Sequence, residues 1–308
     1  MVIPEELKRW MEAHGFRFEK MVIDGIDNEP VLRINHPDMV AEEICLFHRA
    51  LEKGDDYLDR LHGVMERALR EQRALPVVRF ADGEYAFYHG SLDCNGLYRQ
   101  AESVEHIRKA LPFHVEAMQL LAQSGLFAPL VFPGNVEKKR DGIFSFIRHR
   151  RGKPSAATFL AFLNRHAIAL TGENYLPFYV VYAWLTSARF ARLMNRRKVC
   201  LLNAGGDEKA VREWFAAFSS RPDLVFVEIP EEYVATRWPS RRDDVLAKIP
   251  ADTSLCLVGA GIGALPVCVD VARMRSIPAI DAGHALNMMN DRVDKSNGAR
   301  LYTLWKTP

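Results

Sequence analysis

Short apolar segments alternate with amphipathic helical segments between residues 199 and 284, and this alternation restricts the possible folds more than any other feature of the sequence. Strands are predicted from runs of β-branched and other apolar residues, and helices from apolar positions three and four residues apart. The predicted strands are residues 77–80, 199–203, 224–229, 254–258 and 278–281, and the predicted helices are residues 208–218 and 264–274. This pattern predicts an α/β fold with a mostly parallel, Rossmann-like sheet that is covered by helices on both faces.

The chain is expected to divide near residue 74. Residues 1–73 are predicted to form a mainly helical N-terminal region, with a small hairpin over residues 20–34 and long amphipathic helices over residues 39–73. Residues 74–308 then form the α/β domain. Within that domain, a loop that carries Arg237, Arg241 and Arg242 is predicted before a short helix at residues 243–248.

Charge and cysteine usage limit the partners and the compartment. The 41 Lys and Arg residues against 39 Asp and Glu residues leave a net charge of +2, so no nucleic-acid partner is expected. The five cysteines form no CxxC pair, which is typical of reduced residues in a cytoplasmic protein. No signal peptide and no transmembrane segment are expected. The basic run at residues 138–153 favours a solvated face, and a peripheral contact with an anionic membrane or a diphosphate is the alternative.

Two carboxylates follow the predicted strand at residues 77–80. Asp82 and Glu84 flank Gly83, where the chain is expected to turn because glycine adopts backbone angles closed to other residues. Ligands of open α/β sheets bind beyond the carboxyl ends of the strands, so this pair is a candidate site. Arg79, near the end of the strand, is suited to hold a carboxylate or a phosphate. The alternative is an ordinary Asp-Gly turn with solvated acids.

Glycine clusters follow two of the later strands. Gly259, Gly261 and Gly263 lie between a strand and a helix, where backbone amides and the helix dipole can bind a phosphate. The spacing departs from the dinucleotide pattern GxGxxG and is weakly similar to the glycine loop of S-adenosylmethionine enzymes. Gly205 and Gly206 form a second turn of this kind. The alternative for both clusters is close packing of a helix on a strand.

An acid and a histidine follow the last predicted strand. Asp281, Gly283 and His284 lie at its carboxyl end, which is the same sheet edge as Asp82 if all the strands are parallel. A single histidine is more often structural than catalytic, but His284 has both an acid nearby and a position beyond a strand. This shared edge is the main physical argument for a site.

The segment from Arg79 to Glu84 resembles the Arg-Phe-Gly-Asp-Gly-Glu motif of bacterial glycosyltransferases of the D-type fold, with Ala81 in place of the usual glycine. That family also has a late strand with a glycine-rich turn and an Asp-x-Gly-His ending, and residues 257–263 and 280–284 are similar to these landmarks. The resemblance extends over roughly residues 76–290, with a loose middle.

The resemblance implies transfer of a hexose from a UDP-sugar to a glycan, glycoprotein or lipid-linked acceptor in the biosynthesis of a surface polysaccharide or glycoprotein. It implies that Asp82 and Glu84 are catalytic and hold Mn²⁺ or Mg²⁺ at the donor diphosphate. The expected donor-binding residues are Arg79, Gly205, Gly206, Gly259, Gly261, Gly263 and Asp281, with His284 as a further catalytic candidate. The base that activates the acceptor hydroxyl is left open among Glu84, Asp281 and His284.

Two other functions are compatible with the sequence. A methyltransferase would use the Gly259 loop for S-adenosylmethionine and would need neither a metal ion nor Asp82. A protein that binds a nucleotide sugar without catalysis would bind the donor and transfer nothing.

Overall fold

The structure is a computed structural model that describes residues 3–21, 32–34, 44–92, 99–136, 155–289 and 301–303. Its strands are β1 Phe16–Lys20, β2 Leu32–Ile34, β3 Ile44–His48, β4 Leu75–Phe80, β5 Leu126–Pro129, β6 Lys198–Asn203, β7 Asp223–Glu228, β8 Leu255–Gly259, β9 Pro278–Asp281 and β10 Leu301–Thr303. Its helices are α1 Glu5–His14, α2 Gly54–Glu71, α3 Asp82–Tyr88, α4 Val104–Ser124, α5 Pro133–Val136, α6 Ala156–Arg165, α7 Phe178–Leu185, α8 Ala188–Leu193, α9 Glu208–Ala217, α10 Val234–Ala247, α11 Ala264–Arg275 and α12 Gly283–Met289.

Six strands form a parallel sheet in the order β5–β4–β9–β8–β6–β7. All six residues of β4 are buried, as expected for a parallel strand that is covered on both faces. Helices α4, α10 and α11 pack on one another, and α2, α7 and α8 form a second group in contact with the sheet. The predicted α/β fold with helices on both faces is confirmed.

The N-terminal region differs from the sequence prediction. Residues 44–48 form strand β3 instead of the start of a long helix, and β3 pairs antiparallel with β1. The consecutive residues Cys45, Leu46 and Phe47 are all buried, which a strand enclosed on both faces allows and the single apolar stripe of a helix does not. The predicted hairpin over residues 20–34 is wrong in its pairing: where its arms are described, Lys20 in β1 pairs with Ile44 in β3, and β2 pairs antiparallel with β10. Its turn lies outside the described residues.

The segment predicted as a loop with Arg237, Arg241 and Arg242 lies within helix α10, which continues through Pro239. Proline lacks the N–H that would bond the carbonyl of Ala235 four residues earlier. The ring Nε2 of His114 lies 2.7 Å from that carbonyl oxygen and donates to it. Helix α10 therefore tolerates its proline because a neighbouring helix supplies the missing donor.

Four cysteines, Cys45, Cys200, Cys256 and Cys268, are buried and free, whereas Cys94 lies outside the described residues. The basic run at residues 138–153 also falls outside them. Across the described part of the chain, no helix has the length and apolar character needed to cross a membrane.

Candidate functional site at the carboxyl edge of the sheet

The predicted site residues lie at one edge of the sheet because the six strands are parallel. Strands β4 and β9 are direct neighbours, with Val77 opposite Ile280. Their carboxyl ends lead into the segments that begin at Asp82 and Gly283, respectively. The Gly259 and Gly205 turns follow β8 and β6 at the same edge, one and two strands away from β9.

A buried ion pair joins the ends of β4 and β9. The guanidinium Nη2 of Arg79 lies 2.8 Å from Oδ1 of Asp281, and its Nε donates to the main-chain oxygen of the same residue at 3.0 Å. Both side chains are 7% exposed. Burial lowers the pKa of Arg79, but the Asp281 carboxylate more than offsets this and raises it. Arg79 is therefore occupied by a protein carboxylate and holds two strand ends together.

Two aromatic rings from α7 cover the guanidinium of Arg79. Its central carbon lies 4.3 Å from the ring centroid of Tyr182 and 5.3 Å from that of Phe178. Such cation–π contacts are strongest when the cation is shielded from water. All eight residues of α7 are buried, and no sequence pattern indicated that Tyr182 contacts a site residue.

The Asp82-Gly83-Glu84 segment is the first turn of helix α3 and not a glycine turn, so the predicted turn is wrong. Gly83 does not have a positive φ. Among the described glycines, a positive φ occurs at Gly15, Gly90, Gly261 and Gly283. The Glu84 carboxylate accepts the N–H of Ala81 at 2.8 Å, as the acid of a capping box does. Asp82, the first helical residue, is exposed. The helix start places one acid outward and the other against the sheet edge.

Glu84 lies in an environment that disfavours its charge. Burial of the carboxyl group raises its pKa to about 7. The hydrogen bond from Ala81 and the charge of Arg79 oppose the rise, while the neighbouring Asp281 adds to it. Burial also raises the pKa of Asp281, and Arg79 limits that effect. Glu84, Asp281 and Arg79 thus form one coupled group of charges.

Gly283 has a positive φ of 21°, and a Cβ there would collide with Nη2 of Arg79. A glycine is needed at this position because the guanidinium passes directly over the backbone. His284 is the second residue of α12 and follows this close contact along the chain. The structure therefore places His284 at the predicted sheet edge.

The Gly259 loop contacts protein groups at each of its glycines. A Cβ at Gly261 would lie 2.7 Å from Oε1 of Gln100, and one at Gly263 would lie 2.6 Å from Cγ1 of Val234. The N–H of Ile262 donates to Gln100 Oε1 at 3.1 Å. These contacts fit the packing alternative, and Gln100 was not singled out from the sequence because it lies far away along the chain.

The Gly205 turn is linked to the Gly259 loop by Asn203 at the end of β6. Asn203 Oδ1 accepts the N–H of Gly205 at 3.3 Å, and a Cβ at Gly259 would lie 2.7 Å from Asn203 Nδ2. At Gly206, a Cβ would lie 2.7 Å from Cδ1 of Phe226. The sequence analysis predicted Asn203 only as the last residue of a strand. It did not predict that Asn203 contacts both glycine turns.

The predicted metal site would have two carboxylates from this edge of the sheet, Asp82 and Glu84. No cluster of three or more His, Cys, Asp or Glu side chains that could hold a metal is found among the described residues. Asp82 and Glu84 supply carboxylate oxygens, and Mg²⁺ is commonly held by one or two carboxylates together with substrate phosphates. Asp82 is the exposed carboxylate of the pair and the Glu84 carboxylate already accepts the Ala81 N–H, so a shared metal–diphosphate site stays a prediction.

Three solved structures are similar to this chain. A new glycosyltransferase of the domain of unknown function 1792 from Streptococcus sanguinis is 14% identical, with 75% of this chain and 81% of that chain covered and a TM-score of 0.43. A selenomethionine-substituted structure of domain of unknown function 1792 is 15% identical, with 77% and 83% covered and a TM-score of 0.42. A further structure, described as the highly conserved domain of unknown function 1792 with a distinct glycosyltransferase fold, is 15% identical, with 77% and 83% covered and a TM-score of 0.40.

No family model and no curated protein matches the sequence. At these identities and TM-scores, the likeness to the solved structures carries no conclusion about activity.

Proposed function

We propose that this protein is a glycosyltransferase that moves a hexose from a UDP-sugar to a glycan, glycoprotein or lipid-linked acceptor with the help of Mn²⁺ or Mg²⁺. The observation that carries the proposal is the buried Arg79–Asp281 ion pair. It joins the two segments that resemble the D-type glycosyltransferase landmarks. The two paired residues are 202 positions apart in the sequence. This contact supports the proposal that the two motifs contribute to one site.

In this proposal, Asp82 and Glu84 bind the metal ion through carboxylate oxygens at the donor diphosphate. The ion would neutralise the charge that grows on the leaving diphosphate. Arg79 acts as a positioning residue because its hydrogen bonds are directed to Asp281. The base for the acceptor hydroxyl stays open among Glu84, Asp281 and His284.

A methyltransferase receives less support from the same geometry. Its S-adenosylmethionine would need the amides of the Gly259 loop, yet the Ile262 N–H already donates to Gln100. Nothing in that function uses the coupled charges of Glu84, Asp281 and Arg79. A protein that binds the donor without catalysis shares the site, and only turnover distinguishes it.

Thermal unfolding with ligand panels tests the proposal. We expect UDP and UDP-hexoses to raise the melting temperature in the presence of Mn²⁺, because a ligand at about 100 times its Kd stabilises the folded state by about 2.7 kcal/mol. Mn²⁺ alone should give a smaller shift, since two carboxylates make a weak site without the diphosphate. Hydrolysis of the UDP-sugar, followed as released UDP, then tests catalysis.

Asp82→Asn should abolish the joint effect of UDP and Mn²⁺. Glu5→Gln is the matched control, because Glu5 is also an exposed acid in the first turn of a helix and lies far along the chain from the site. Stabilisation by S-adenosylmethionine instead of UDP would support the methyltransferase. Stabilisation by UDP, with no release of UDP from any UDP-sugar, would support a protein that binds the donor without catalysis.

A further inference from the structure

A groove opens beyond the carboxyl end of β7, at the same sheet edge as the candidate active site. Two adjoining cavities, each of about 450 Å³, lie along the loop after β7 and one face of α10. They share Ile229, Pro230, Glu231 and Arg241 and so form one continuous groove. Each volume falls in the range of roughly 300–1,000 Å³ that is typical of small-molecule sites.

One wall of the groove is fixed before any ligand binds. Tyr233 has a φ of 63°, which a residue with a bulky side chain adopts only where its surroundings impose it. Its N–H donates to the main-chain oxygen of Arg99 at 2.8 Å. Arg237 lies 5.1 Å above the Tyr233 ring and donates to Glu102 at 2.5 Å. A preformed wall reduces the entropy that is lost when a ligand binds.

The groove carries charges of both signs in nearly equal number. Three cations and four carboxylates line it, which gives a formal charge of −1: Arg237, Arg241, Lys248, Glu228, Glu231, Glu232 and Asp244. Within the described residues, Arg241, Lys248 and Asp244 make no side-chain hydrogen bond or ion pair with another residue. The groove thus offers uncommitted donors and acceptors without a net charge that would attract an anion.

We propose that this groove binds a neutral oligosaccharide, the acceptor in the reaction proposed above. Sugar hydroxyls both donate and accept hydrogen bonds, so they match the mixed set of Arg241, Asp244 and Lys248. Pro230, which is exposed, gives an apolar surface for the C–H faces of the sugar rings. A nucleotide or another polyanion fits poorly because the carboxylates repel it.

The position of the groove agrees with an extended acceptor. Strands β7 and β4 are separated by four strand spacings in the sheet order, or roughly 19 Å at about 4.8 Å per spacing. A ligand of several sugar units in the groove can therefore direct its reacting end along the sheet edge towards Asp82. The assignment of the ligand as the acceptor rests on the proposed glycosyltransferase function.

An array of printed oligosaccharides tests the groove with fluorescently labelled full-length protein. The array contains neutral di-, tri- and tetrasaccharides, with sialylated and uronic-acid glycans as acidic probes. We expect binding to neutral members and at least a tenfold weaker apparent affinity when Arg241→Ala and Asp244→Ala are combined. The control combines Glu5→Ala and Lys8→Ala, an exposed acid and base at the same spacing of three residues on α1, and should bind as the unchanged protein does.

The outcomes separate this proposal from the proposed function. The groove assignment fails if no neutral glycan is retained, if the combined groove variant binds normally, or if UDP competes for the bound glycan. Stabilisation by UDP with Mn²⁺ should persist in the groove variant, because its residues lie away from Asp82. If glycans bind as expected but UDP and Mn²⁺ have no effect on the melting temperature, the groove stands as a glycan site and the glycosyltransferase proposal fails.

Discussion

At the scale of single residues, the Arg79–Asp281 pair holds the two parts of the candidate site together. Both side chains are almost fully buried, so each charge depends on the other for the solvation that water no longer provides. The aromatic faces of Phe178 and Tyr182 cover the guanidinium, and the backbone of Gly283 lies directly against it. Removal of either partner leaves the other as an unpaired buried charge.

Arg79→Met should destabilise the protein by about 3–5 kcal/mol, the usual cost when one partner of a buried pair is removed. The loss should be smaller at pH 5 than at pH 8. Burial already raises the pKa of Asp281 and Arg79 opposes that rise, so the variant's Asp281 is protonated more readily. An acid whose pKa is higher in the folded state loses stability as pH rises. Urea denaturation at both pH values measures the effect.

The same variant with Asp281→Asn provides the control for this pH dependence. The asparagine has no titrating carboxyl group, so the difference in stability between pH 5 and pH 8 that Arg79→Met introduces should shrink to the part that comes from Glu84, whose pKa Arg79 also lowers. If the difference persists undiminished in the double variant, Asp281 is not responsible for it and the interpretation of the pair is wrong.

His114 should make the protein sensitive to acid. Burial lowers its pKa to about 4, and the imidazole lies between the Tyr88 hydroxyl at 3.0 Å and the Ala235 carbonyl. Between pH 6.5 and about 4, His114 binds a proton in the unfolded chain but not in the folded protein. The free energy of unfolding therefore decreases by about 3 kcal/mol as the pH is lowered through this range.

Unfolding free energies of the unchanged protein and of His114→Gln between pH 4 and 7 test this prediction. Glutamine can still donate to Ala235 and accept from Tyr88, and it does not titrate, so the difference between the two proteins should shrink as pH falls. His106→Gln, an exposed histidine on the same helix, should change nothing. Parallel pH curves for the unchanged protein and His114→Gln would contradict the prediction.

At the scale of helices and strands, the sequence predicted the sheet well because parallel strands leave a simple signal. Strands β4, β6, β8 and β9 are short apolar runs bounded by polar or glycine residues, and their order in the chain alternates with helices. The predicted edge for Asp82 and Asp281 followed from this alternation alone. The order of the strands in the sheet depends on the crossover connections, which local sequence patterns do not predict. The contact between β4 and β9 could therefore not be predicted from the sequence.

The local errors have physical causes. Glycine and proline normally interrupt helices, yet α3 contains Gly83 and α10 contains Pro239. Helix α3 forms because Glu84 bonds the Ala81 amide at its start, and α10 continues because His114 bonds the freed carbonyl of Ala235. Both compensations are made by side chains whose role is visible only in three dimensions.

Two glycines of the site should respond in opposite ways to alanine. At Gly83, in the first turn of α3, a Cβ would meet no atom within 4 Å, so Gly83→Ala should stabilise the protein by about 0.5–1 kcal/mol. At Gly283, a Cβ would collide with the Arg79 guanidinium and the φ is positive, so Gly283→Ala should destabilise it by roughly 1–3 kcal/mol. Chemical denaturation of the two variants gives both values. A destabilised Gly83→Ala protein would indicate that this residue forms a turn after all.

At the scale of the whole molecule, the N-terminal region and the sheet share one hydrophobic core. Helix α2 packs on α7, and the Leu46 N–H donates to the Val131 carbonyl at 3.0 Å. The Tyr175 hydroxyl donates to the Leu46 carbonyl in return. These two hydrogen bonds, one between main-chain groups and one from a side-chain hydroxyl, make β3 part of the same packed unit as the residues that follow β5.

Fully buried side chains lie where α2 packs on α7, and they determine what happens when residues 1–73 are removed. Tyr57 and Leu61 from α2 are 0% exposed, as is Trp184 from α7, whose indole nitrogen lies 3.3 Å from Nδ1 of His62. Removal of residues 1–73 would expose α7, whose eight residues are all buried, along the face that α2 covers. An apolar surface of that extent favours aggregation over folding.

We therefore expect a fragment of residues 74–308 to lack a cooperative unfolding transition, whereas the full chain should unfold in one step. A fragment of residues 15–308 is the matched control. It loses only α1, whose buried residues are Leu7 and Met11, and keeps the α2–α7 contact, so it should fold with reduced stability. Near-UV circular dichroism during thermal unfolding distinguishes the three proteins, because it reports fixed aromatic packing. A native-like transition in the 74–308 fragment would mean that the sheet forms a domain without α2, and that the Arg79–Asp281 site needs none of the packing that the N-terminal region supplies.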